Sequence, residues 1–242
     1  MKLEVTDKYP RWGFVEIILA YFCIMLVGWA YSWADQQSGG FVRWIGLADN
    51  QFNAFVTAYI VQFITTIAMV VFFTIIVNKA DWQQLGLKSA SKEAFIKYGF
   101  LGGVLLLGMV MILGYPINYL QPDLEPQVFE KILRSIDNIP ALLLLLFMGS
   151  VLAPISEELF YRGMMYPVFR RHLGIRWGAT AAGAVFGLAH WDLWRTIPLA
   201  VGGALLCWIY EKTGSILVSA VAHGVWNGTL ALIIYFTMVY NL

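Results

Sequence analysis

FNAFVTAYIVQFITTIAMVVFFTIIV, residues 52–77, passes from Phe52 to Val77 without one charged side chain. About 20 such residues are enough to cross the hydrocarbon core of a bilayer. A helix on a soluble protein would break so long an apolar run with a polar face. Read outward from this stretch, the chain repeats the pattern. Candidate spans fall at Phe14–Trp33, Phe52–Val77, Tyr98–Leu120, Pro140–Met165, Trp177–His190, Thr196–Tyr210 and Ser215–Tyr240. The fifth and sixth are short and are expected to depend on neighbouring helices. The expected fold is all-α, a polytopic transmembrane helical bundle of about seven spans, with an eighth left open. It is treated as one transmembrane domain over 1–242, with the motif-bearing core at 140–240.

Composition agrees. The 242 residues are 60% hydrophobic and 13% charged, with a mean hydropathy of +0.68; soluble domains are about half apolar and about a quarter charged. The net charge of +1 offers no basic field for nucleic acid. Cys23 and Cys207 stand alone in apolar runs and form neither a disulfide framework nor a zinc motif. Ser32-Trp33-Ala34 resembles a signal cleavage site. The apolar run before it is longer than the about 7–15 residues of a signal peptide, so Phe14–Trp33 reads as the first span.

Between the third and fourth spans, Val128, Phe129, Ile132, Leu133 and Ile136 share one face of Gln127–Asp137, with Glu130, Lys131, Arg134 and Asp137 elsewhere. This spacing predicts an interfacial amphipathic helix. Asn78–Lys92 is the longest hydrophilic loop. Basic residues give the orientation. Lys2, Lys8, Arg11, Lys79, Lys88, Lys92, Lys97, Arg170, Arg171, Arg176 and Lys212 fall on one side; Arg43, Lys131, Arg134 and Arg195 fall on the other. The N-terminus is therefore expected in the cytoplasm. The small size and lack of targeting signals suggest a prokaryotic cell membrane.

Ionisable groups inside spans are expensive and therefore mark function by default. Glu157-Glu158-Leu159-Phe160-Tyr161-Arg162 places Glu158 and Arg162 four apart, where they can pair, and leaves Glu157 directed elsewhere. Pro154, just upstream, removes a backbone donor and should open the helix. An ordinary ion pair at a helix end would give the same pattern. Phe186-Gly187-Leu188-Ala189-His190 ends an apolar, small-residue helix. His223-Gly224-Val225-Trp226-Asn227 puts an imidazole and an amide one turn apart on one face, as interhelical hydrogen bonding alone would also do. Of the three histidines in the chain, two lie in these clusters. Three helices thus each supply groups suited to acid–base work. A glutamate can draw a proton from water, with a histidine helping to hold it, and histidine and asparagine donors can stabilise an oxyanion. No serine or cysteine nucleophile is paired with a base.

Glu157-Glu158-x-x-x-Arg162, Phe186-x-x-x-His190 and His223-x-x-x-Asn227, in that order, resemble the three motifs of the CAAX-protease and bacteriocin-processing family. These intramembrane enzymes, called Abi proteins in bacteria, are similar to the type II CAAX prenyl endopeptidase. Trp82-x-x-Leu85-Gly86-Leu87 also matches a loop pattern of the family. The resemblance implies that Glu157 activates water with help from His190. His223 and Asn227 would form the oxyanion site, Glu158 and Arg162 would support the first motif, and Phe186 would shape the pocket. It further implies a membrane-embedded or lipidated substrate and no cofactor.

Other readings stay open. Two histidines and a glutamate match a three-ligand zinc protease site, although no H-E-x-x-H is present. A non-catalytic membrane partner, such as an immunity or scaffold protein, is compatible with the same motifs. A transporter is disfavoured, because no pseudo-repeat of broken helices is visible and the polar residues gather in the C-terminal half.

Overall fold

The computed structural model describes residues 10–38 and 40–240, so Lys2 and Lys8 lie outside the described residues. Helices α1 (Phe14–Ser38) and α2 (Phe41–Trp44) come first. Next is α3, Gln51–Val71 continued by a π-helical turn at Phe72–Val77. Helix α4 starts at Lys92–Ala94, passes through π-helical Phe95–Phe100 and runs on over Leu101–Leu120. The short α5 is Val128–Ser135. Helix α6 comprises Ile139–Phe147, a π turn at Met148–Leu152, Ala153–Glu158 and a second π turn at Leu159–Met165. Then follow α7 (Tyr166–Leu188), α8 (Leu193–Thr213) and α9 (Ile216–Tyr240).

Among the described residues, six helical runs are long and apolar enough to cross a membrane. The fourth is a 50-residue run, Ile139–Leu188. It covers the fourth span expected from the sequence and most of the fifth, and Gly174 breaks the helix between them with φ 73° and ψ 177°. A positive φ is accessible to glycine without a Cβ penalty. The chain is an all-helical, multi-pass membrane protein, and side chains such as Leu105 and Ile112 point outward, as lipid contact demands.

Burial is uneven. Within their most apolar windows α9 is 50% buried and α1 only 11%, which puts α9 at the centre and α1 at the rim. Small residues bring the inner helices together. A Cβ on Gly183 of α7 would lie 2.4 Å from the Ala200 carbonyl oxygen of α8, and one on Gly187 would lie 2.5 Å from that of Thr196. Backbones this close are the usual substitute for a hydrophobic driving force between helices in lipid.

The amphipathic segment forms, shorter than expected. Ile132 and Leu133 of α5, with Ile136 just beyond it, are buried against Phe52, Phe55, Tyr235 and their neighbours, whereas Val128 is exposed. The apolar face of α5 therefore packs on the ends of α3 and α9. The hydrophilic loop also docks. Leu85 is fully buried, Ile216 N–H donates to the Gly86 carbonyl at 3.0 Å, and Ser215 Oγ donates to that of Lys88 at 2.8 Å. Gly86 has φ 77° and is hemmed in by Tyr210 and Ile216.

Gly183→Val should lower the thermal midpoint in detergent sharply, since overpacking costs about 1–3 kcal/mol or more. Gly108→Ala meets nothing within 4 Å and should be neutral or stabilising by about 0.5–1 kcal/mol.

Candidate active site

Two π turns flank the paired glutamates. Such turns insert an extra residue into an α-helix and are frequent at functional sites. In the first, the Ala153 N–H reaches back to the Met148 carbonyl. In that register the next donor would be residue 154, but a proline nitrogen carries no hydrogen. The Gly149 carbonyl thus lacks its backbone donor, and Asn227 Nδ2 of α9 supplies one at 3.2 Å. Tyr59 of α3 donates its hydroxyl to the neighbouring Met148 carbonyl at 3.1 Å. Gly224 and Gly228, which follow His223 and Asn227, allow α9 this close. A Cβ on Gly224 would lie 2.1 Å from the Ser150 carbonyl oxygen, and one on Gly228 would lie 2.5 Å from Ser150 Oγ.

The second glutamate is the hub. Arg162 Nη1 donates to Glu158 Oε1 at 2.7 Å, with both side chains essentially inaccessible, and Arg162 Nη2 donates to the Gly203 carbonyl of α8 at 2.8 Å. His223 Nδ1 lies 2.9 Å from the same Glu158 oxygen. A carboxylate only accepts, so this ring nitrogen carries the hydrogen. Phe186 of α7 fills the centre. Its ring meets Tyr161 at 5.1 Å, His190 at 4.9 Å and His223 at 5.6 Å, and the Arg162 guanidinium lies 4.9 Å from its centroid. Trp226 stacks on His223 at 5.3 Å.

Glu157 is set apart. Its side chain is 33% exposed, and its Oε2 lies 3.7 Å from His223 Nε2. Among the described residues nothing is hydrogen-bonded to it. His190 Nδ1 donates to the Phe186 carbonyl at 2.8 Å. In the neutral ring this leaves a lone pair on Nε2, the form that can accept a proton. The structure thus gathers Glu157, Glu158, Arg162, Phe186 and His223 into one cluster. Asn227 lies one turn along α9, and His190 joins through the Phe186 ring. The histidine within ion-pair range of Glu157 is His223.

A recess of about 400 Å³ opens beside His190, lined by Tyr21, Val185, Leu188, Ala189, Trp191, Asp192, Leu193 and Thr196. Its rim is firm. Asp192 caps α8 and pairs with Arg195. Burial raises the Asp192 carboxyl, but hydrogen bonds and charge from Arg195, with the Trp194 N–H, outweigh it and hold the group below its usual range. Among the described residues, no three His, Cys, Asp or Glu side chains gather in a metal-binding arrangement. Cys23 and Cys207 are free thiols.

A bundle of apolar helices around a buried polar centre, built from three separated motifs, defines a multi-pass membrane protein with a polar site among its inner helices. Residues 139–229 match the family described as type II CAAX prenyl endopeptidase Rce1-like, which supports the CAAX-protease resemblance carried by the motifs. No characterised protein and no solved structure compared with the chain matches it. The matched segment holds all three motifs, while α3 and its Tyr59 lie before it. Sequence reasoning did not find Tyr59, because a tyrosine inside an apolar span carries no pattern of its own.

Arg162→Ala should destabilise the fold strongly. Removing one partner of a buried pair leaves the other charge uncompensated and costs about 3–5 kcal/mol. Unfolding in mixed micelles measures the loss.

Proposed function

We propose that the chain is an intramembrane endopeptidase that hydrolyses a peptide bond of a membrane-bound, prenylated CAAX-type substrate with a glutamate-activated water. One observation carries this reading. Of two adjacent glutamates, Glu158 is consumed by Arg162 and His223, while Glu157 stands half-exposed without a hydrogen bond among the described residues.

In the proposed reaction, water lies against Glu157, and the lone pair of His190 Nε2 helps to orient it. Glu157 takes the proton as the water oxygen attacks the scissile carbonyl carbon, and the C=O electron pair moves onto oxygen. One Asn227 amide hydrogen is held by Gly149; the other is free to meet the oxyanion. Protonated on both nitrogens, His223 donates to Glu158 and, through Nε2, into the site. In that form Glu157, Glu158, Arg162 and His223 sum to zero charge. Collapse of the intermediate breaks the C–N bond, and Glu157 returns the proton to the departing amine. The role of each residue follows general acid–base and oxyanion chemistry. No cofactor enters this scheme.

Cleavage of a farnesylated CAAX-peptide reporter by purified protein tests it. Glu157→Ala should cut the rate by about 10²–10⁴-fold, with EDTA having no effect. Loss in EDTA as well would favour a zinc enzyme. Equal rates in Glu157→Ala and the unaltered protein would overturn the glutamate mechanism.

We further propose residence in a prokaryotic cell membrane with the N-terminus in the cytoplasm, from the asymmetry of Lys and Arg between loops. A cysteine placed at Lys88 should react with an impermeant maleimide only after the cytoplasmic face is opened. Labelling of intact cells would reverse the orientation.

A further inference from the structure

The geometry points to Tyr59 as a catalytic residue supplied from outside the motif-bearing segment: its phenol hydroxyl is a second neutral donor, beside Asn227, to the oxygen of the scissile carbonyl. This rests on the protease reading above and extends it to α3.

Tyr59 Oη of α3 and Asn227 Nδ2 of α9 settle on successive carbonyls of α6, those of Met148 and Gly149. The π turn and Pro154 free the Gly149 carbonyl for Asn227, and Tyr59 takes the carbonyl next to it as a second donor beside the Ala153 N–H. The Met148–Gly149 corner is walled by Phe55 and Phe129. Phe129 sits against Gly149, where a Cβ would lie 2.9 Å from its ring, and Phe55 bridges the rings of Phe129 and Tyr59. Tyr59 itself remains partly accessible. Its hydroxyl also lies within electrostatic range of the Glu157 carboxylate. A phenol beside the amide donor, resting on a carbonyl it can leave, is placed to follow the carbonyl oxygen of a bound peptide. As water adds to the carbonyl carbon and the electron pair moves onto oxygen, the Tyr59 O–H turns from Met148 to that oxygen. It keeps its proton throughout, and the hydrogen bond is released when the C–N bond breaks and C=O re-forms.

Tyr59→Phe removes the oxygen and keeps the ring. With the farnesylated reporter, kcat should fall by about 10²-fold, the usual effect of one oxyanion donor, with KM within about twofold. A purely structural hydrogen bond would shift the thermal midpoint and the active fraction without this kcat-specific loss. In the double variant Tyr59→Phe/Asn227→Ala, the loss should be smaller than the product of the single losses, because both donors serve one oxygen. A Tyr59→Phe kcat within about twofold of the unaltered protein, with Glu157→Ala inactive, would overturn Tyr59 alone. An unaltered protein that cleaves nothing would overturn the protease reading and Tyr59 with it.

Discussion

A carboxylate and a guanidinium in the middle of a lipid-embedded bundle are tolerable only if each satisfies the other, and the Glu158–Arg162 pair is the constraint around which the inner helices are arranged. Isolated, either charge would cost several kcal/mol in so apolar a setting. Paired at 2.7 Å, they still have spare hydrogen-bonding capacity, and the fold uses it to tie helices together. The arginine reaches α8 through the Gly203 carbonyl, and the glutamate reaches α9 through His223. Phe186 brings α7 onto the guanidinium face. One ion pair thus fixes α6, α7, α8 and α9 relative to each other, and Glu157 is the residue left over.

The helix that carries the pair is itself irregular for a reason. Two π turns and a proline within one span leave backbone carbonyls without their usual donors, and an unpaired carbonyl in hydrocarbon is costly. The Gly149 carbonyl draws in Asn227 from α9, and Tyr59 from α3 adds a second donor to the Met148 carbonyl beside it. The glycines after His223 and Asn227 make the approach sterically possible. Local disorder in the hydrogen-bond ladder of α6 is thereby converted into a defined polar corner.

The sequence was informative where physics acts over short range. Phe52–Val77 could be read as a span from its length and lack of charge, and the structure places a membrane-length helix there. The Glu158–Arg162 pair was legible because four residues is one helical turn. The opening of α6 near Pro154 followed from the missing N–H. Contacts across the chain were not legible. His223 meets Glu158 over a separation of 65 residues and Tyr59 meets Met148 over 89, and no spacing rule connects them. The break at Gly174 between two spans was hidden because a lone glycine has many uses. The amphipathic segment was recognised by its periodicity, but a pattern of apolar residues cannot distinguish a lipid surface from a protein surface. The structure chooses the latter for Ile132 and Leu133.

The pairing of Glu158 with a residue on its own helix also bears on how the protein is made. Helices enter a membrane in order, and α6 precedes Gly203 and His223 in the chain. Had Arg162 found its counter-charge only on α8 or α9, α6 would face lipid with a bare cation until those later segments arrived. Because the partner lies one turn away, Arg162 can enter already paired, and Glu157 carries the one unmatched charge on the helix. Its remaining bonds are completed as α8 and α9 follow. By this sequence of events the polar centre assembles last, so a nascent chain lacking its final helix holds Glu157 without the His223 that stands beside it in the finished protein.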